Sequence, residues 1–233
     1  MNFALIVAAG SGSRMGNIDK PKQFLLINNK PLMVYTIEAF ELNKQVDAIV
    51  IVTSKDYIDE VNSFSKKYSL NKIKAVVIGG DTRQLSVYNG LQTIKALSKD
   101  YINDIVLIHD AARPLVTQKI ITENIRACIQ YDAINTAIKA SDTIVRSLDE
   151  QSINDVPSRK ELYQGQTPQT FKLSLILEAH EYAKTHHNEN VTDDCQLVLS
   201  LNKKVRLVEG NKQNFKITTL EDLELFNALV NNK

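Results

Sequence analysis

The strongest constraint on this chain is a rhythm in which short apolar runs alternate with longer amphipathic stretches. Phe3-Ala-Leu-Ile-Val7, Ala48-Ile-Val-Ile-Val52, Ala75-Val-Val-Ile78 and Ile105-Val-Leu-Ile108 each read as a strand buried on both faces. Leu32 to Phe40 and Ser86 to Leu97 carry apolar residues at helical spacings of three and four. Strands alternating with helices at this spacing imply βαβ units, right-handed crossovers and a mostly parallel sheet. The expected class is α/β, with a three-layer, Rossmann-like arrangement.

After about Ala140 the rhythm changes. Asp142-Thr-Ile-Val-Arg-Ser147 and Ser152-Ile-Asn-Asp-Val156, joined by Leu148-Asp-Glu-Gln151, predict a two-stranded hairpin inserted into the domain. So little apolar content leaves such a hairpin marginal alone, and it is expected to lean on a second subunit. The pattern then returns to helix over Leu173 to Lys184, strand over Val205 to Val208, and a C-terminal helix from near Thr219. Without repeats or low-complexity linkers, residues 1–233 read as one domain with an arm at about 141–162.

Composition narrows the function classes. A formal charge of +1 gives no reason to expect bulk binding to nucleic acid or an acidic membrane. Cys128 and Cys195 are too few for a disulfide framework and lack zinc-site spacing, so they are expected to be ordinary thiols. The apolar start at Met1 to Val7 is too short for a signal peptide or a membrane span. The expectation is a cytoplasmic protein.

In an open α/β sheet, ligands bind beyond the carboxyl ends of the strands. The first strand is followed there by Ala8-Ala-Gly-Ser-Gly-Ser-Arg-Met-Gly16 and Lys20-Pro-Lys-Gln23. Gly79-Gly-Asp-Thr-Arg-Gln-Leu-Ser86 follows the third, and His109-Asp-Ala-Ala-Arg-Pro114 the fourth. Gly10 and Gly12 let backbone N–H groups approach an anion, and Arg14 and Lys22 add positive charge. No Gly-Lys-Ser/Thr ends this loop, so it is not a Walker A motif. Its glycine spacing also misses the dinucleotide fingerprint by one residue. Asp110 is placed to help hold Mg²⁺ on a polyphosphate, or to pair with Arg113. His109 reads as a packed histidine, and His186-His187 as a solvated pair.

The ordered motifs Ala8-Ala-Gly-x-Gly-x-Arg-Met-Gly16, Pro21-Lys-Gln-Phe24, Gly79-Gly-x-x-Arg-Gln-x-Ser86, His109-Asp-Ala-Ala-Arg-Pro114, Gln166-Thr-Pro-Gln169 and Lys216-Ile-Thr-Thr219 span nearly the whole chain. With them the chain resembles the alditol-phosphate cytidylyltransferases of the nucleotidyltransferase-A fold. The best-known members of that family make CDP-methylerythritol and CDP-ribitol.

The resemblance implies transfer of CMP from CTP to an alditol phosphate, with Mg²⁺ and release of pyrophosphate. The acceptor phosphate would attack the α-phosphorus itself, so no protein nucleophile is required. Arg14, Lys22, Arg159 and Lys216 would serve the reaction. Ala8, Ala9, Gly10, Ser11, Gly12, Gly80, Asp81, Arg83, Ser86, Asp110 and Ala111 would hold the nucleotide, with Asp110 also at the metal. Asp110, Arg113, Thr143, Arg159, Thr167 and Lys216 would meet the acceptor. The family's arm reaches over a dimer mate, which implies a homodimer. Asp142-Thr-Ile-Val145, Val156-Pro-x-Arg159 and Tyr163-Gln-Gly-Gln-Thr-Pro-Gln169 resemble the ribitol 5-phosphate branch. The Ala-Ala-Gly and Asp-Ala-Ala-Arg-Pro motifs look more like the methylerythritol 4-phosphate branch, which stands as the alternative.

Overall fold

The computed structural model describes residues 1–10, 20–187 and 191–231. Strand β1 (Asn2–Ala8) lies between β4 (Ala48–Thr53) and β6 (Ile105–Asp110), parallel to both. The first strand's alternation sends Ala4 and Ile6 to one face of the sheet and Phe3 and Leu5 to the other, all fully buried. That two-sided burial is what a continuous apolar run predicts, and β4 and β6 share it. Strand β5 (Ile73–Ile78) departs from the expectation. It pairs with β4 alone at the sheet edge and is only partly buried.

The seven-stranded sheet runs β5-β4-β1-β6-β8-β7-β9. Beyond β6, β8 (Tyr163–Lys172) is antiparallel to both β6 and β7 (Ala133–Lys139), and β9 (Arg206–Glu209) runs parallel to β7. A separate two-stranded ribbon joins β2 (Leu26–Ile27) to β3 (Lys30–Pro31). Helices α1 (Leu32–Glu41), α2 (Ile58–Lys67) and α4 (Gln118–Tyr131) cover one face of the large sheet. Helices α3 (Arg83–Leu97), α5 (Leu173–Thr185) and α6 (Asp194–Ser200) cover the other. The result is the expected three-layer α/β sandwich. Helix α7 (Leu220–Asn231) seals a small satellite core, with Phe226 packed edge-on against Tyr35.

The arm takes a looser form than two strands. Arg146 and Asp155 make an isolated antiparallel bridge, with Arg146 N–H donating to the Asp155 carbonyl at 2.8 Å. The turn is closed by side chains: Asp149 Oδ1 accepts from the N–H groups of Gln151 and Ser152, and Asn154 Oδ1 accepts from Leu148 N–H. Ile144, Val145, Leu148, Ile153 and Val156 are all exposed. With no second layer to pack on, these residues cannot support a longer ladder.

Candidate active site

The carboxyl ends of β1, β5 and β6 open onto a cleft of about 440 Å³. Its floor is built from the loops singled out in the sequence. After β1, the carbonyls of Ala8 and Gly10 both accept from Gln23 Nε2, at 2.6 and 2.8 Å. Gln23 lies within the Pro-Lys-Gln-Phe motif and clamps the loop's opening residues. Ala8, Ala9 and Gly10 line the cleft, while Ser11, Gly12 and Arg14 lie outside the described residues.

The second wall is the turn from β5 into α3. Gly79 sits so close to β1 that a Cβ there would come within 2.5 Å of the Ala9 Cβ, and only glycine allows that approach. The Ser86 hydroxyl accepts from Gly80 N–H at 3.1 Å and donates to the Gly80 carbonyl at 3.2 Å, fixing the turn. The Thr82 side chain caps α3 by accepting from Leu85 N–H. The helix therefore points its amino end, with its partial positive charge, into the cleft beside Asp81 and Arg83.

The third wall carries the charge. Asp110, at the tip of β6, has Lys216 Nζ at 2.8 Å from Oδ2, with Arg83 Nε at 3.7 Å and Arg113 Nε at 3.8 Å. Burial disfavours its charged form, but attraction from Lys216, Arg83 and Arg113 outweighs this and holds the carboxyl well below its ordinary range. For Arg113 the balance reverses, and burial draws its pKa down despite Asp110. Burial also lowers Arg83, yet the ion pairs with Asp194 and then Asp110 win, leaving it above its ordinary value. Lys22 is buried, and its Nζ donates to the Ile217 carbonyl at 2.7 Å, joining the first loop to the segment that carries Lys216.

A chain of hydrogen bonds supports this wall. Asp110 N–H donates to Thr167 Oγ1 at 3.1 Å, and Thr167 Oγ1 lies 3.0 Å from His109 Nδ1. His109 Nε2 lies 3.1 Å from the Arg113 carbonyl, an arrangement that requires the hydrogen on Nε2. Arg113 in turn donates to the Asn214 carbonyl at 2.8 Å, and Asn214 Nδ2 returns to the Thr167 carbonyl at 2.8 Å. His109 is fully buried against Phe40, and burial pushes its pKa down to about 4. It is a packed histidine, as its sequence context suggested. Thr167, expected at the acceptor phosphate, bonds through its hydroxyl to Asp110 N–H and His109.

The structure thus gathers Ala8, Ala9, Gly10, Lys22, Gly80, Asp81, Arg83, Ser86, Asp110, Ala111 and Lys216 around one cleft. Arg113 touches it through Asp110. Thr143 and Arg159 stand apart on the exposed arm, where Arg159 donates to the Ser141 carbonyl at 3.1 Å. The sequence reading missed Gln23 and Asp194. The Pro-Lys-Gln-Phe motif contained the first. The second had no local signal, because its partner Arg83 is remote in sequence.

Comparisons with known proteins give the family. The profile of the IspD family, described as 2-C-methyl-D-erythritol 4-phosphate cytidylyltransferase, matches residues 2–232. The chain belongs to the IspD family. It is 40% identical over 230 residues to a ribitol-5-phosphate cytidylyltransferase of Lactiplantibacillus plantarum, covering 99% of this chain and 98% of that one. Among solved structures it is similar to a 4-diphosphocytidyl-2C-methyl-D-erythritol synthase of Anaerococcus prevotii. That match has 33% identity and a TM-score of 0.83, covering 99% of this chain and 96% of the other. The 2-C-methyl-D-erythritol 4-phosphate cytidylyltransferase of Francisella tularensis matches at 30% identity and a TM-score of 0.81, covering 97% and 98%. Membership of the IspD family makes this chain a CTP-dependent nucleotidyltransferase.

Proposed function

We propose that the chain transfers CMP from CTP to D-ribitol 5-phosphate, giving CDP-ribitol and pyrophosphate. The observation that carries the acceptor is the 40% identity, over essentially the whole chain, to a ribitol-5-phosphate cytidylyltransferase. The arm and the Tyr163-Gln-Gly-Gln-Thr-Pro-Gln169 segment agree with it. The N-terminal motifs favour 2-C-methyl-D-erythritol 4-phosphate as the second reading, and the solved relatives carry that name.

The walls of the cleft suit the reaction. Two phosphate-bearing substrates repel one another, so the barrier falls when fixed cations hold both in line. Lys22, Arg83 and Lys216 supply charge from three walls, and the α3 amino end adds its dipole. The acceptor's own phosphate oxygen displaces pyrophosphate, and Lys22, with Arg14 by analogy, balances the charge that builds on the phosphorus and the leaving group.

Asp110 fits a divalent cation. It is an ionised, hard carboxylate at the cleft, and Mg²⁺ is commonly bound through one or two carboxylates plus substrate phosphates. No group of three His, Cys, Asp or Glu gathers among the described residues, so the triphosphate would provide most of the remaining ligands. The ion would supply charge neutralisation. A homodimer completes the proposal, with the partner's arm bringing Thr143 and Arg159 toward the acceptor. No helix among the described residues is long and apolar enough to cross a membrane. We place the reaction in the cytoplasm.

Pyrophosphate release tests this reading. It should require CTP, ribitol 5-phosphate and Mg²⁺ together and stop on addition of EDTA. Release that proceeds without an alditol phosphate would contradict transfer.

A further inference from the structure

Arg83 reaches past the cleft to a second carboxylate that the transfer scheme does not use. Its Nη1 lies 2.7 Å from Asp194 Oδ2, whereas its contact with Asp110 is 3.7 Å. Asp194 is 1% exposed, on the first turn of α6. Its position is fixed from the sheet by Gln169, on β8. Gln169 Oε1 accepts from Asp194 N–H at 3.2 Å, and Gln169 Nε2 donates to Asp193 Oδ2 at 2.7 Å and to Asn135 Oδ1 at 3.3 Å. His180, also buried, sets Nε2 3.7 Å from the other Asp194 oxygen.

A carboxylate removed from water this completely is costly unless paired, and Arg83 is its closest cationic partner. Arg83 is therefore stretched between a buried anchor and the carboxylate at the centre of the cleft. Asp110 is shared with Lys216 and Arg113, so its hold on Arg83 is divided. Asp194 is buried and does not line the cleft, so its hold on Arg83 is not shared with a group that faces the substrates.

We propose that Asp194 is a positioning residue for nucleotidyl transfer: it fixes the direction from which Arg83 presents its guanidinium to the nucleotide triphosphate. Gln169, and through it the β7-β8 pair, is the frame for that anchor. The inference rests on the reading of the cleft as a CTP site.

A double-mutant cycle tests it, because a residue acting only through Arg83 loses its effect once Arg83 is gone. R83Q, D194N and R83Q/D194N are compared in kcat/KM for CTP and in CTP affinity by calorimetry. Each single variant should lose about tenfold in kcat/KM, and the double variant should match R83Q within about twofold. D194E, which keeps the charge, should recover part of the loss. Losses that multiply in the double variant to about a hundredfold would overturn the proposal, as would D194N kinetics equal to wild type. If D194N fails to fold, Gln169→Ala, which removes the bond to Asp194 N–H, takes its place in the cycle. It should lower kcat/KM when Arg83 is present and change it less than about twofold in R83Q, and an equal effect in both backgrounds, or none in either, would overturn the proposal. Wild-type pyrophosphate release, run alongside, reports on the transfer reading separately. The calorimetric cycle tests Asp194 even if the acceptor differs.

Discussion

At the scale of single residues, the cleft assigns different work to its cations. Lys22 is buried, tethered to the Ile217 carbonyl, and faces the cleft. On the proposed function, Lys22 stabilises charge that appears as the reaction proceeds more than it grips the ground state. Lys22→Ala should lower kcat by about a hundredfold while changing CTP affinity much less. Steady-state kinetics alongside calorimetry would detect the split, and equal losses in both would make Lys22 a plain binding residue. His109 makes a prediction of the opposite kind, about stability. Its pKa lies near 4 in the folded protein, below the ordinary 6.5 of an unfolded chain. The unfolded state therefore takes up the extra proton first, and stability falls as pH drops below about 6.5, with a loss from this group of about 3 kcal/mol by pH 4. Urea unfolding of wild type and His109→Gln across this interval should show a shallower pH slope in the variant. Parallel slopes would mean that His109 carries its proton in the fold.

At the scale of elements, what could be read from the residues depended on how each element is buried. The strands β1, β4 and β6 are buried by hydrocarbon on both faces, so a continuous apolar run marks them. Strands β7 and β8 escaped because polar side chains occupy much of their buried surface. Thr136 Oγ1 donates to the Pro168 carbonyl at 2.6 Å and accepts from Asn124 Nδ2, while Thr170 donates to Asn124 Oδ1. Such a network satisfies every group inside, yet it looks like a loop in a hydropathy pattern. The cleft loops were legible for a different reason, since glycines and cations at strand tips have few other uses. The arm was legible as an insertion but not in its form, because its turn is closed by Asp149 and Asn154 side chains rather than by a ladder. Its exposed Leu148 and Ile153 have an apolar reason to meet a partner subunit. Leu148→Asp/Ile153→Asp should weaken a dimer by about thirtyfold or more, read by sedimentation at several concentrations. Wild type that sediments as a monomer throughout would remove the dimer from the account.

At the scale of the whole molecule, the sheet brings residues from opposite ends of the chain to one edge. Lys22 and Lys216 meet because Lys22 bonds to the carbonyl of Ile217, and that segment is held to the β6 tip by Ile217 N–H donating to the Ala112 carbonyl at 2.9 Å. The fold thereby links the loops proposed to hold the nucleotide to the wall proposed to meet the acceptor. Acceptor choice is thus the point on which the proposed function is most exposed. The most direct measurement offers ribitol 5-phosphate, 2-C-methyl-D-erythritol 4-phosphate and glycerol 3-phosphate together, at equal concentration, with limiting CTP. Product ratios read by mass spectrometry then give the ratios of kcat/KM. The account predicts that CDP-ribitol dominates by tenfold or more, roughly the discrimination expected from a few polar contacts. A mixture dominated by CDP-methylerythritol would contradict it.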